Sequence, residues 1–152
     1  MSRKMQKLFY LLQFVFISLN VNAGISDDHV YIKLDNFKSP SIQINIKRDR
    51  TLIRHYIGGD TLAITNFKWC DLETDEKFYL ETLKKLKEAG FYSWTDKYVN
   101  PYIHDGASFW VVVKQHGTVK RVFGANKYPD GFKKIEAYVL STQDRFECKP
   151  IR

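Results

Sequence analysis

The sequence predicts one α+β domain, an antiparallel sheet of about five strands packed with two helices in the order β-β-β-α-β-β-α. Three observations carry that expectation. Period-2 alternation, as in Ile42, Ile44 and Ile46 set between Ser41, Gln43, Asn45 and Lys47, marks half-buried strands. Two other stretches space their apolar residues for a helix: Tyr79, Leu83 and Leu86, then Phe132, Ile135, Tyr138 and Val139. The chain has 152 residues with no internal repeat and no linker-like run, which suits a single core.

Taken in order, Val30, Ile32 and Leu34 alternate over too short a run for more than an edge strand, closed by Ser39-Pro40. Ile42 to Ile46 is the next strand, and Lys47-Arg48-Asp49-Arg50 the polar turn after it. Thr51 to Ile57 returns, Gly58-Gly59-Asp60 turns again, and Thr61 to Trp69 supplies a third strand of mixed pattern. A helix follows from about Asp75 to Ala89, capped by Asp71 or Thr74 and stopped by Gly90, with Glu81 and Lys85 spaced for an i,i+4 ion pair. Phe91 to Tyr102 is dense in aromatics. Ala107 to Gln115 and Thr118 to Phe123 form a hairpin about His116-Gly117, whose register sets Trp110 opposite Phe123 and Val111 opposite Val122. Both faces of that hairpin are apolar, as where a sheet is covered on both sides or one face receives a partner. Pro129 suits the first position of the second helix, which fades near Ser141.

Charge and cysteine content bear on compartment. Residues 1–23 have the layout of a cleavable secretory signal: Arg3, Lys4 and Lys7, an apolar run from Leu8 to Leu19, and Val21-Asn22-Ala23 before Gly24. A spanning helix needs roughly 20 apolar residues, and this run is broken by Gln13 and Ser18, so no stable membrane span is expected after cleavage. The expected product, residues 24–152, is periplasmic or secreted. The formal charge of +7 loses three basic residues and no acid with the signal, leaving +4. The remaining cations are interleaved with acids, which argues against a nucleic-acid footprint. In an oxidising compartment Cys70 and Cys148 are expected to form one disulfide. His29, His55, His104 and His116 lie at no metal-ligand spacing, so neither a metal nor a cofactor is expected.

Trp94 with Tyr98 (W-x3-Y), Asp105-Gly106 with Trp110 (D-G-x3-W), and Gly124, Asn126, Tyr128, Pro129 and Phe132 (G-x-N-x-Y-P-x2-F) stand in order over about a third of the mature chain. In these motifs the chain resembles a group of small exported bacterial α+β domains with no established activity. The resemblance implies a helix, a hairpin and a second helix reached through the 126–129 loop. It implies no catalytic residue.

No phosphate-binding glycine loop, nucleophile elbow or zinc-protease helix is present in the sequence. The leading expectation is therefore a non-enzymatic exported domain that binds an unidentified envelope protein or glycan, in the manner of an inhibitor or immunity protein. Tyr and Trp anchor interfaces at low entropic cost, which nominates Tyr92, Trp94, Tyr98, Tyr102, Asn126 and Tyr128 as the binding surface. Against this, aromatics in so small a domain are mostly core, and Trp94 and Trp110 have the setting of buried residues. Two alternatives stand beside it: a small hydrolase using His104 and Asp105 as an acid/base pair, and a structural component of the envelope.

Overall fold

A computed structural model of the chain describes residues 27–35, 40–57, 68–103 and 106–148. The signal segment 1–23, the turn residues 58–60, most of the expected strand 61–69, and the His104-Asp105 pair lie outside the described residues.

The fold is α+β, with seven strands among the described residues in place of about five and a mixed sheet in place of a purely antiparallel one. The strands are β1 (His29–Asp35), β2 (Pro40–Ile46), β3 (Arg50–Ile57), β4 (Lys68–Glu73), β5 (Lys97–Val99), β6 (Ser108–Gln115) and β7 (Thr118–Ala125). Helix α1 (Glu76–Glu88) and a 3-10 turn (Phe91–Ser93) separate β4 from β5, and helix α2 (Phe132–Arg145) follows β7. The strand order is β4-β3-β2-β1-β6-β7-β5, antiparallel throughout except for β5 on β7.

The short first strand is not an edge. β1 pairs with β2 on one side and β6 on the other, so it is the middle of the sheet. Alternation of Val30, Ile32 and Leu34 determines which face is buried but carries no information about how many neighbours a strand has. β4 overlaps the expected strand at Lys68 and Trp69 and runs on to Glu73, because Cys70 and Leu72 turn toward the core while Asp71 and Glu73 face out, a period-2 run extending to the helix. Asp71 is therefore a strand residue and Thr74 meets Thr51, hydroxyl to hydroxyl at 3.1 Å. The cap of α1 is Asp75, whose carboxylate accepts from the Phe78 N–H at 2.9 Å.

Helix α1 buries Phe78, Tyr79, Thr82 and Leu86, and Gly90 takes φ 85° just past its end, where a left-handed residue was expected. Thr82 is accommodated in the core because its hydroxyl donates to the Phe78 carbonyl at 2.9 Å and meets the Tyr138 hydroxyl at 2.7 Å. The expected Glu81–Lys85 pair does not form: Glu81 takes Arg145 of α2 at 3.2 Å, and Lys85 takes Glu88 at 3.4 Å. Helix α2 starts three residues beyond Pro129, at Phe132, with Gly131 at its N-cap, and it does not fade at Ser141. Thr142 keeps the inner face closed by returning its hydroxyl to the Tyr138 carbonyl at 2.9 Å, which lets the helix run on to Arg145.

Both helices pack on the same side of the sheet, over Val30, Ile32, Ile44, Ile53, Phe109, Val111 and Val122. The disulfide forms as expected. It joins Cys70 of β4 to the fully buried Cys148 beyond α2, with a Cα–Cα distance of 6.1 Å and a sequence separation of 78. His55 adds a ring-nitrogen hydrogen bond to the Cys148 carbonyl at 2.7 Å. The hairpin register is as expected, with Gln115 opposite Thr118, Val111 opposite Val122 and Trp110 opposite Phe123. Its turn residues His116 and Gly117 both have positive φ, which matches the right-handed twist of the flanking strands.

Candidate functional site

The six nominated residues do not form one surface. Trp94, Tyr98 and Tyr128 converge on a hollow of about 610 Å³ between the end of α1 and the 129–131 segment, its mouth ringed by Lys87, Glu88, Asp130 and Lys134. Within it Trp94 is a wall of the core, not a contact surface. It is only 7% exposed, donates its indole N–H to the Asp130 carbonyl at 3.0 Å, and meets the Phe91 ring edge-on at 5.7 Å. Tyr98 is half-buried, and its hydroxyl accepts from the Thr95 N–H at 3.1 Å. Tyr128 stacks on Phe109 and Phe132 with ring centroids 5.6 and 4.8 Å apart, and burial is the main cause that pushes its phenol above the usual value.

The other three stand apart. Tyr92 projects near the hairpin, its hydroxyl donating to Gln115 at 3.4 Å. Tyr102 is 90% exposed on the loop after β5. Asn126 has φ 56° and donates its side-chain amide to the Ile103 carbonyl at 3.3 Å, so it braces that loop against the end of β7. Gly124 belongs to the same packing unit: a Cβ there would lie 2.0 Å from Phe109 Cε1. Apart from Trp110 and Asp105, the motif residues that carry the sequence resemblance thus have packing or backbone roles, with Pro129 buried and Phe132 in the core.

The exposed aromatic that sequence reasoning placed in the core is Trp110. With both helices on one side, the opposite face of the sheet has no helix over it among the described residues. Trp110 lies on that face, 40% exposed, its ring 4.6 Å from that of Phe123 and tilted by 41°. The register sets them in a row across four strands, Lys33, Trp110, Phe123 and Lys97, with Tyr31, Val112 and Arg121 in the row beside it. A shallow hollow of about 340 Å³ opens there, lined by Asp96, Trp110, Val119, Lys120, Arg121 and Phe123. Lys33 pairs with Asp35 at 2.7 Å and Lys120 with Asp96 at 3.9 Å, while Arg121 is exposed. The signal was present in the sequence, since β6 is apolar in both phases of its alternation. That pattern alone does not say which phase the helices cover.

The remaining buried charge is structural. Asp28, 4% exposed, accepts from the His116 N–H at 2.8 Å and from Arg48 at 3.3 Å. Arg48 also pairs with Glu76 and lies 5.2 Å from the centre of the Tyr79 ring. The group ties the chain entering β1 to the hairpin turn and to the start of α1. Among the described residues no cluster of three or more His, Cys, Asp or Glu stands close enough to hold a metal, and no helix is long and apolar enough to cross a membrane. No protein-family model matches the chain, and no curated protein matches it.

Proposed function

We propose that this chain is an exported, non-enzymatic recognition domain that holds a protein partner in the envelope, in the manner of an inhibitor or immunity protein. The observation that carries the reading is Trp110, a large aromatic set against Phe123 on a sheet face that has no helix over it among the described residues. Trp at the centre of a patch, with Arg and Tyr nearby, is the composition of an interface anchor. The Cys70–Cys148 bridge supports an oxidising compartment. The test is capture from envelope extract with the oxidised domain, comparing the native chain with the Trp110→Ser variant, whose fold is checked by circular dichroism. Loss of the captured protein on Trp110→Ser is the expected result. Equal capture by both proteins would refute a role for this face.

A glycan partner is the second reading, favoured by the hollow at Tyr98 and Tyr128, where aromatic edges stand among Lys87, Glu88, Asp130 and Lys134. Titration with envelope glycan fragments tests it, since Lys87→Ala with Lys134→Ala at the rim should abolish any heat that Trp110→Ser leaves intact, and heat unchanged by that pair would refute it.

A further inference from the structure

Among the described residues β7 is a sheet edge over most of its length. β6 pairs with it from Thr118 to Ala125, but on its other side β5 covers only Phe123 to Ala125. The direction of its backbone groups follows from two hydrogen bonds. The Phe123 N–H donates to the Asp96 carbonyl at 3.0 Å and the Ala125 carbonyl accepts from the Asn100 N–H at 3.0 Å, both away from β6. In an antiparallel ladder the backbone groups point alternately toward and away from the partner strand. Val119 and Arg121 therefore direct their N–H and C=O groups outward as well, and among the described residues no strand meets them. Such a row is a template for strand addition.

Resting on the recognition reading, we infer that β7 between Thr118 and Val122 accepts an extended acidic segment of a partner protein as an added strand, with Arg121 as its charge contact and Phe123 and Trp110 as its apolar shelf. Three features select that occupant. Arg121 is exposed on this edge and Lys97 shares the face of Phe123, so cations stand on the open face beside an incoming strand, whereas Lys120 points to the other face and is held by the Trp94 carbonyl at 2.9 Å. A second copy paired edge to edge would set like charges against one another, which disfavours self-association. An acidic segment meets attraction at the same positions. The hollow lined by Asp96, Trp110, Val119, Lys120, Arg121 and Phe123 lies directly beside the outward backbone and receives every second side chain of such a strand, its one acid, Asp96, being paired with Lys120 at 3.9 Å. The other sheet edge, β4, is of opposite character, presenting Asp71, already paired with Arg50 at 3.3 Å, and Glu73.

The test uses the full oxidised chain and a fluorescein-labelled peptide of seven alternating glutamate and valine residues, with the same peptide N-methylated at every second amide as control. Anisotropy is expected to show saturable binding that weakens at least tenfold with the N-methylated peptide and with Arg121→Glu. Hydrogen exchange at the Val119 and Arg121 amides is expected to slow at saturation. Val119→Pro removes an outward N–H without touching the β6 ladder and is expected to block the site; proline is tolerated at such edge positions. Absence of peptide binding, or binding indifferent to N-methylation, overturns the inference. The two readings fail separately. A captured envelope protein that is lost with Trp110→Ser but retained with Val119→Pro leaves recognition standing and removes strand addition.

Discussion

Reducing the Cys70–Cys148 bridge should cost this domain a large part of its stability, and the size of the loss follows from the chain. The bridge closes a segment of 78 residues in sequence separation. In the chain-entropy treatment that closure removes about 4.5 kcal/mol of freedom from the unfolded state. Total stabilities of single domains are of order 5 to 15 kcal/mol, so the bridge should account for between about a third and nine-tenths of the total. The assay is urea denaturation followed by tryptophan fluorescence, with and without a phosphine reductant, after thiol titration confirms two free thiols. With a urea slope of about 1.5 kcal/mol/M, the midpoint should fall by about 3 M. The slope itself should rise, because a chain released from its cross-link exposes more surface when it unfolds. Using reduction, not substitution, leaves both sulfur atoms in place, so no cavity at the fully buried Cys148 contributes. A midpoint that moves by less than about 0.5 M with both thiols free would refute the loop-closure reasoning.

Gly131→Ala should lose about 2 to 4 kcal/mol: the residue has φ 83°, and an added Cβ would lie 2.2 Å from the Ala89 carbonyl oxygen, a backbone atom that cannot swing away. A urea midpoint within error of the native chain would mean that α2 does not start that close to the end of α1. Asp28→Ala should cost about 2 kcal/mol by leaving Arg48 and the His116 N–H without their buried acceptor, and amide exchange at His116 should accelerate; an unchanged rate would remove Asp28 as the clasp of the hairpin turn. For pH, the Tyr138 phenol is raised above its usual value chiefly by burial. A phenol whose folded pKa is the higher one favours the folded state fully below the unfolded value near 10 and loses that contribution as pH climbs toward the folded value. Tyr138→Phe should therefore flatten the decline in stability above pH 10, and a decline of unchanged steepness would refute the burial argument.

How much of this was legible in the sequence differs by element, for physical reasons. The hairpin register was fully legible because a two-residue turn at His116-Gly117 leaves one way to align the flanking strands. The disulfide was legible because two cysteines allow one intrachain pairing. β5 was not, since three residues, Lys97 to Val99, are too few to show a period. The central position of β1 and the length of α2 were missed for a shared reason. Both depend on partners distant in sequence: β6 pairing to the free side of β1, and Thr142 turning its hydroxyl back onto Tyr138 so that a polar residue fills a core position. Trp94 and Trp110 share the sequence setting of buried residues because residue type alone does not reveal which face of a sheet the helices will choose. The structure separates them, Trp94 inside with Phe91 and Phe132, and Trp110 on the open side.

That separation decides where function should be sought. The motif residues Tyr98, Gly124, Asn126, Tyr128 and Phe132 hold one another in place, so substitution there tests folding before it tests recognition. Trp110 is different in kind. Its ring is already partly covered by Phe123, and the exposed 40% corresponds to about 100 Å² of largely apolar surface, taking a tryptophan as about 250 Å². Covering that area is worth about 2.5 kcal/mol at 25 cal/mol/Å², enough for an interface hot spot. It is far short of the roughly 800 Å² that each side of a stable complex buries. A partner must therefore extend along the face to Tyr31 and Val112, or take hold of the backbone at Val119 and Arg121, for Trp110 to act as an anchor. Extension along the face uses side chains alone and tolerates a rigid surface, whereas the backbone route demands an extended segment. N-methylation of a bound peptide separates those two geometries with no change to the protein.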